Sequence, residues 1–207
     1  MAPKIIDKEV RKKEILKAAM KVAAAKGIKN VRIDEIAEAA GVGKGTVYEY
    51  FKSKEEIFGA SLVEFMRHID EIMARKMFKA VTPQDRLKAM LYAWEEACEH
   101  EDSELMNLMI DVWAEGIRRD NKELLKIFDM KAIYEQYREM VSAILNDGIN
   151  QGIFRKTDVL TVAGLFIATF DGIMIQWLLD RENVDLKKTS EVLYDTLMEG
   201  IIYRQDK

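Results

Sequence analysis

Residues able to bind a phosphodiester chain are concentrated between positions 32 and 54 of the sequence. Lysine and arginine attract phosphates, tyrosine hydroxyls hydrogen-bond to them, and a threonine can contact a base edge or a thymine methyl group. Glycine lets another backbone approach closely, and the backbone N–H groups at the start of a helix bind anions. These residue types predict contacts to a nucleic acid. The predicted contact residues are Arg32, Gly43, Lys44, Gly45, Thr46, Tyr48, Tyr50 and Lys54.

Three short helical segments would have to position these side chains. The spacing of apolar residues predicts helices over residues 8–26, 33–40 and 44–50, and Gly41 can reverse the chain between the last two in a left-handed conformation. Two short helices joined by a tight turn describe a helix-turn-helix, whose second helix enters the major groove of DNA. Three packed helices with no DNA role are the alternative. The third helix would direct two apolar side chains inward, Val47 and Phe51.

The charge of the chain is divided unevenly along its length. Residues 1–55 hold 13 lysines and arginines against 8 acids, a net charge of +5, and the other residues hold 19 against 28, a net charge of −9. A basic N-terminal part on an acidic remainder is expected when a phosphate-binding module is joined to a domain of another kind. Chance clustering of surface charge would give the same distribution, so the asymmetry alone does not decide between the two.

The rest of the sequence also predicts helices joined by short connections. Only 2 prolines and 11 glycines interrupt the 207 residues, and helix-forming residues dominate. Ser53 and Glu56 form the signature of a capping box that starts a fourth helix, and Thr82 with Pro83 is a start signal for a fifth. The predicted seventh helix covers residues 122–150. The fold class is therefore all-α, with nine helices and a seam near Ser53.

The segment covering residues 33–55 resembles the DNA-binding signature of TetR-type repressors. It reads Ile-Asp-Glu-Ile-Ala-Glu-Ala-Ala-Gly-Val-Gly-Lys-Gly-Thr-Val-Tyr-Glu-Tyr-Phe-Lys-Ser-Lys-Glu, and a second likeness to that family lies within residues 147–179. The resemblance implies a TetR-like fold with a helix-turn-helix domain at residues 1–53 and a C-terminal effector and dimerisation domain at residues 54–207. It also implies a homodimeric repressor that binds a palindromic operator in double-stranded DNA and is released by a small effector.

Three positions depart from the usual pattern of that family. Arg32 stands where a threonine commonly caps the second helix, which adds charge but weakens the helix start. Gly43 replaces a frequent serine, so a phosphate contact there falls to the backbone N–H alone. Glu49 either accepts a hydrogen bond from a cytosine amino group or points into solvent, and we favour solvent.

The predicted eighth helix, residues 159–179, is apolar on nearly every face. Such a helix must be covered on both sides, and its own domain together with a second copy of the chain would do so if helices eight and nine formed a four-helix interface. A twofold dimer places two recognition helices about 34–36 Å apart, the spacing of successive major grooves. A larger monomeric core is the alternative, but it leaves the helix-turn-helix unpaired. The predicted interface residues are Phe166, Phe170, Ile173, Trp177, Leu193 and Leu197.

Large aromatic and methionine side chains recur on the predicted helices four to seven. At helical spacing they are most often plain core, but around a few polar groups they also form adaptable cavities for apolar ligands. The family resemblance favours a cavity for a small apolar or amphipathic effector, whose identity the sequence does not reveal. The predicted effector-binding residues are Phe65, Trp94, Met109, Trp113, Tyr134 and Tyr137.

Patterns that would indicate an enzyme or a metal site do not occur in the sequence. It has no glycine-rich phosphate loop after a strand and no nucleophile motif, and His68 and His100 lack metal-ligand spacing. Cys98 is best interpreted as a buried small residue. We therefore predict a protein that is not an enzyme and uses no cofactor or metal. The alternative class is a ligand-binding or enzymatic helical bundle whose N-terminal part is only structural.

The chain is expected in the cytoplasm. A single cysteine suits a reducing compartment, and no apolar stretch follows the first charged residues as it would in a secretory signal. Residues 159–179 are long and apolar enough to span a membrane, but they include Asp171 and Gln176. A helix buried on two sides of a soluble protein is the favoured interpretation.

Overall fold

The computed structural model describes residues 8–100, 103–118 and 122–202, and these residues form ten α-helices joined by short connections. One 3-10 turn, Ile28–Asn30, follows the first helix. The predicted all-α fold class is confirmed. The helices are α1 (Lys8–Lys26), α2 (Ile33–Ala39), α3 (Lys44–Tyr50), α4 (Lys54–Lys79), α5 (Pro83–His100), α6 (Ser103–Arg118), α7 (Lys122–Ile127), α8 (Met130–Asn150), α9 (Val159–Leu179) and α10 (Leu186–Ile201).

The predicted seventh helix is two helices in the structure. Residues 122–150 divide into α7 and α8, and the chain turns at Phe128 and Asp129. Phe128 is buried, and its N–H donates to the Leu124 carbonyl at 2.9 Å. The sequence prediction missed the break because neither residue of the turn is a glycine or a proline. The predicted eighth and ninth helices are therefore α9 and α10.

Side-chain caps mark the starts of α5, α9 and α10. Asp158 at α9 and Asp185 at α10 each accept a hydrogen bond from the backbone N–H three residues further on, at 3.2 and 2.9 Å. At α5, the Thr82 hydroxyl accepts from the Asp85 N–H at 3.1 Å. These bonds satisfy donors that a helix start leaves unpaired, so the boundaries follow from short-range sequence signals.

The described chain divides into two compact units. Unit 1 holds residues 8–67 and 103–130, and unit 2 holds residues 68–100 and 131–202. This division concerns packing, whereas the boundary predicted after residue 53 separates functions and stays a prediction.

Unit 1 is built around α1, which packs against α2 and α6, and α2 in turn packs against α3. Gly27, with φ +78°, ends α1 in the left-handed region. The Ile28 N–H that follows donates to the Asp111 carboxylate of α6 at 3.2 Å, so α6 holds the 3-10 turn that leads into α2. Fully or almost fully buried residues of this unit include Ile15, Ile36, Val47, Phe51, Ile57, Phe58 and Leu62.

Unit 2 contains the end of α4 together with α5, α8, α9 and α10, and α10 packs against α5 and α9. Arg86 and Asp147 form an ion pair at 2.8 Å between α5 and α8. An isolated β-bridge joins Phe154 to Ile202. A Cβ at Gly148 would lie 2.1 Å from the Phe154 ring, so only glycine allows this close approach to α8.

Candidate nucleic-acid interface

A tight turn joins α2 to α3 in the geometry that the sequence predicted. Gly41 has φ +65°, the left-handed conformation that glycine adopts without strain. The Gly41 N–H donates to the Glu38 carbonyl at 3.1 Å and the Val42 N–H to the Ala37 carbonyl at 2.9 Å, which is the Schellman pattern of a helix C-terminus. The direction in which α3 leaves the turn is therefore fixed by backbone hydrogen bonds.

α3 directs one face into unit 1 and the other outward. Val47 and Phe51 are 0% and 2% exposed, which confirms the prediction that they point inward, whereas Tyr48 is 49% exposed. Thr46 and Tyr50 are half-buried. All three predicted contact side chains on this helix with a hydroxyl therefore keep part of their surface accessible.

The start of α3 is open to a large partner. At both Gly43 and Gly45, no described atom outside the adjoining backbone and the two neighbouring residues lies within 4 Å of the position that a Cβ would take. Within the described residues, no side chain caps this helix, which begins at Lys44. Another molecule could therefore approach the backbone here more closely than it could if the two glycines carried side chains.

The start of α2 is capped by Glu35. Its carboxylate accepts from the Lys26 ammonium and, at 2.8 Å, from the Arg32 backbone N–H, and these two bonds hold the pKa of Glu35 below its usual value. A guanidinium has no acceptor, so Arg32 cannot make the other half of a capping box. Its side chain extends outward and is 74% exposed. Glu35 thus compensates for the weak cap that Arg32 was expected to give.

Asp34, in the first turn of α2, contacts two of the predicted phosphate-binding cations. Its Oδ1 lies 2.7 Å from the Lys44 ammonium, and its Oδ2 lies 3.4 Å from the Arg32 guanidinium. The hydrogen bond with Lys44 lowers the pKa of Asp34 and raises the pKa of Lys44. Lys44 is therefore charged and already paired within its own chain.

The Lys54 ammonium lies on three backbone carbonyls. Its distances to the carbonyl oxygens of Ile28, Lys29 and Val31 are 3.3, 2.8 and 3.3 Å. These bonds use all three donors of the ammonium group and fasten the start of α4 to the 3-10 turn before α2. The structure thus gives Lys54 an intramolecular role that the sequence analysis, which assigned it to phosphate, did not anticipate.

The predicted capping box at the start of α4 forms in part. The Ser53 hydroxyl accepts from the Glu56 N–H at 3.1 Å, as predicted. The Glu56 carboxylate reaches one residue further than expected and accepts from the Lys52 N–H at 2.6 Å. The helix start is secured at both positions, so α4 begins immediately after the reading head formed by α2 and α3.

Three aromatic rings meet in unit 2, on α5, α8 and α9. The Trp94 ring centroid lies 5.8 Å from that of Tyr137, at an interplanar angle of 62°, and also 5.8 Å from that of Phe170, at 49°. Such edge and tilted contacts suit the charge distribution of aromatic rings. Trp94 and Tyr137 were predicted to bind an effector, and the structure brings them together.

Two carboxylates accompany these rings. The Tyr134 hydroxyl donates to Asp171 Oδ2 at 2.8 Å, and burial raises the pKa of Asp171 to about 6 despite this bond. The Tyr137 hydroxyl bonds to Asp70, and burial raises the pKa of both groups. We call Trp94, Tyr134, Tyr137, Phe170, Asp70 and Asp171 the aromatic–acidic cluster.

The other three predicted effector residues belong to unit 1. Phe65 and Met109 are 2% and 3% exposed, and Trp113 is half-buried. The Trp113 indole Nε1 is buried and has no hydrogen-bond partner among the described residues. The six predicted side chains therefore divide equally between the two units.

The buried face of α9 corrects part of the predicted dimer interface. Phe166, Phe170 and Ile173 are 6%, 6% and 7% exposed within a single chain, so they cannot form a surface for a partner. Trp177, another predicted interface residue, has the Arg181 guanidinium carbon 4.2 Å from its ring centroid within the same chain. Leu193 and Leu197 are half-buried. The error has a simple cause, because a helix that is apolar all round does not reveal from its sequence which side faces inward.

The opposite face of α9 is apolar and accessible. Leu165 and Leu179 are 57% and 82% exposed, and Gly172 lies midway between them at a spacing of seven residues. On α10, Val192 is 57% exposed. We call these four residues the outer stripe.

The helix α9 also has the length and composition of a membrane span. Its Asp171, however, accepts a hydrogen bond from the Tyr134 hydroxyl of α8.

Comparison with known proteins agrees with this geometry. Residues 15–60 match the family model for bacterial regulatory proteins of the tetR family, and residues 83–201 match that for the C-terminal part of BetI-type transcriptional repressors. The chain belongs to the TetR family. It is accordingly a DNA-binding transcriptional regulator and not an enzyme, and the resemblance seen in residues 33–55 is confirmed.

Individual relatives cover most of this TetR-family chain. The fatty acid metabolism regulator protein of Bacillus subtilis is 28% identical over 191 residues, which are 91% of this chain and 94% of that protein. The transcriptional repressor KstR2 of Mycolicibacterium smegmatis is 26% identical over 81% of this chain and 78% of its own length. A regulator from Saccharomonospora viridis, solved in complex with choline, has the same fold, with a TM-score of 0.80 and 22% identity over 96% of this chain and 100% of that one.

The TetR-family reading head is held in place by residues that were not singled out from the sequence. On α2, Asp34 pairs with Lys44 and Glu35 with Lys26, and on α6 the Asp111 carboxylate accepts from the Ile28 N–H. Two acids in the first turn of a short helix were a visible signal, but a sequence does not say which cations they contact. Cys98 is buried, as predicted. The side chain of His100 lies outside the described residues.

Replacing Lys54 with methionine tests its role in this regulator. The variant keeps the length of the side chain but loses three charge-assisted hydrogen bonds, so we expect the free energy of unfolding to fall by about 1–2 kcal/mol. Lys52→Met is the matched control, because Lys52 is a neighbouring lysine that is exposed. Urea denaturation followed by circular dichroism measures both variants. Equal stability of the two would show that the carbonyl contacts contribute nothing.

Proposed function

We propose that this TetR-family protein is a ligand-responsive repressor. A homodimer would bind a palindromic operator through α3 of each copy and would leave it when an effector binds in unit 2. The observation that carries the proposal is the outward face of α3, where Lys44 and Tyr48 project beside the open backbone of Gly43 and Gly45. Because the proposed target is chromosomal DNA, the protein would work in the cytoplasm.

Most of the predicted contact residues have a chemically suitable partner in a duplex. Lys44 and Arg32 would contact phosphates, and Tyr48 and Tyr50 would donate hydrogen bonds to them. Thr46 would contact a base edge or a thymine methyl group. Lys54 would act by placing the start of α4, since its ammonium is occupied by carbonyls.

The outer stripe supports dimerisation through α9 and α10. Leu165, Gly172 and Leu179 recur every seven residues, so they lie on one face of α9. Apart from its chain neighbours and the nearby backbone of α9, no described atom lies within 4 Å of a Cβ placed at Gly172, which leaves room for a partner helix to approach. Two copies related by a twofold axis would cover this apolar face and would set the two α3 helices for successive major grooves.

The aromatic–acidic cluster suits an effector with an apolar body and a cationic head. The faces of Trp94, Tyr137 and Phe170 attract cations, and the Asp171 carboxylate lies among buried groups where a positive ligand would stabilise its charged form. The structural relative from Saccharomonospora viridis was solved in complex with choline, whose quaternary ammonium group is a cationic head of this kind. The proposed effector is thus the amphipathic kind expected from the sequence, with its charge now specified.

Release from DNA requires that the effector bind one conformation better than the other. An effector that binds the DNA-incompatible dimer 100-fold more tightly shifts the equilibrium by about 2.7 kcal/mol, whereas equal affinity for both states shifts nothing. We propose that α4, which belongs to unit 1 up to Arg67 and to unit 2 from His68, carries this shift to the reading head.

A lysine substitution tests the proposed contact. We expect Lys44→Ala to weaken binding to any duplex about tenfold and to reduce the slope of log affinity against log salt concentration by at most about 1, since one phosphate contact is lost. Lys187→Ala is the control, because it removes the same charge from an exposed position on α10. Fluorescence anisotropy with an operator selected from random duplexes measures both. A Lys44→Ala variant with unchanged affinity would remove this lysine from the contact set.

A further inference from the structure

The cations that are proposed to bind phosphate are engaged by one carboxylate in the structure. Asp34 lies 2.7 Å from Lys44 and 3.4 Å from Arg32, and the three side chains are 47%, 55% and 74% exposed. They lie on either side of the turn between α2 and α3, so a phosphate that approached Lys44 would meet the Asp34 carboxylate at the same ammonium group.

We propose that Asp34 is a built-in competitor of the DNA phosphate. In this view the regulator exchanges an internal ion pair for a phosphate contact each time it binds a duplex, and Asp34 limits its affinity for DNA of any sequence. The inference rests on the proposed contact between Lys44 and phosphate. It adds that Asp34, which is not itself a proposed DNA contact, determines how much the contact between Lys44 and phosphate contributes to the affinity for DNA.

Ion release gives this competition a measurable signature. Binding of a lysine to phosphate releases a cation condensed on the DNA, which makes affinity fall as salt rises. If Lys44 must leave Asp34 to do so, the vacated carboxylate attracts a cation from solution and offsets part of that release. Removing the charge of Asp34 should therefore make binding both tighter and more sensitive to salt.

Asp34→Asn is the decisive variant because asparagine keeps the size of the side chain and removes its charge. We expect it to bind a fluorescein-labelled duplex of random sequence about 3–10-fold more tightly at low salt, with the advantage shrinking as salt screens the charges. The slope of log affinity against log salt concentration should steepen by up to about 1. Fluorescence anisotropy over a series of KCl concentrations measures both quantities.

Two controls separate competition from other effects of the charge. Glu38→Gln removes the same charge from an exposed position on α2 and should give a clearly smaller gain. In a background that carries both Lys44→Ala and Arg32→Ala, Asp34→Asn should lose most of its effect, because Asp34 acts through these two cations. Asp34→Ser serves as a second variant if asparagine disturbs folding, which circular dichroism monitors.

Each possible result of the Asp34→Asn binding measurements either supports or overturns the proposed competition. Tighter binding that depends on Lys44 and Arg32 supports the competitor. Weaker binding by a folded Asp34→Asn would mean that Asp34 positions Lys44 for DNA. A gain that survives when both Lys44 and Arg32 are alanine would mean general repulsion. Both results overturn the proposal. If the unaltered protein binds no duplex, the proposed function fails as well, whereas an unaltered protein that binds and an Asp34→Asn variant that behaves identically defeat only the inference.

Discussion

Leu165→Glu is expected to abolish dimerisation and to reduce operator affinity by about 100-fold or more. Leu165 is 57% exposed on the outer stripe, so the single chain should tolerate the change. In the proposed dimer the glutamate would be buried against a second apolar helix without a partner, which is strongly unfavourable. A monomer reaches only one half-site and loses the gain that two linked reading heads provide. Analytical ultracentrifugation and fluorescence anisotropy measure the two effects.

Val63→Glu is the matched control for this variant. Val63 lies on α4 in unit 1 and is 51% exposed, so the same substitution is made at a similarly accessible apolar residue outside the stripe. It should remain dimeric and bind the operator normally. A Leu165→Glu protein that stays dimeric at micromolar concentration would show that the two copies meet through another surface.

Asp171→Asn is expected to remove the response to a cationic effector while leaving DNA binding intact. With choline as the probe, release of the unaltered regulator from its operator should require at least about tenfold less ligand than release of the variant, since the partly buried Asp171 carboxylate would lose its charge in the variant and could no longer pair with the cation. Asp195→Asn, at an exposed position on α10, is the control. Isothermal titration calorimetry and operator-release assays give the two readouts.

The same carboxylate predicts how the response depends on pH. Burial raises the pKa of Asp171 to about 6, so the group gains a proton as the pH falls through that value. The choline affinity of the unaltered protein should therefore weaken below pH 6 and level off above it, whereas Asp171→Asn should show no such step. Release by decanoate and not by choline would refute the cationic effector and favour an acyl ligand.

The reading head could be predicted from sequence because its geometry depends on neighbouring residues. Gly41 adopts the positive φ that the turn needs, and the hydrogen bonds that close the turn span at most five residues. Val47 on α3 and Phe51, which ends that helix four residues later, are both buried, and the Phe51 N–H donates to the Val47 carbonyl at 3.0 Å. Local chemistry of this kind leaves few alternatives for the chain.

Contacts between distant residues could not be predicted in this way. The Lys54 ammonium reaches carbonyls more than twenty residues earlier, and Asp34 meets Lys44 across a turn. The sequence alone does not distinguish a lysine that binds backbone carbonyls from a lysine that is available to bind phosphate. On α9, Phe166 and Leu165 are adjacent and equally apolar, yet one is buried and the other exposed, and only packing decides which.

The backbone N–H of Ile28 finds its acceptor on Asp111, 83 residues further along the chain. α1, which precedes the reading head and packs against α2, also packs against α6. A hybrid regulator made by grafting residues 1–53 onto a foreign body would leave that N–H without its carboxylate and would uncover one side of α1. The smallest transplantable reading head of this protein is therefore discontinuous in sequence, and an engineer who wished to redirect its operator preference would have to carry α6 along or rebuild the surface that it provides.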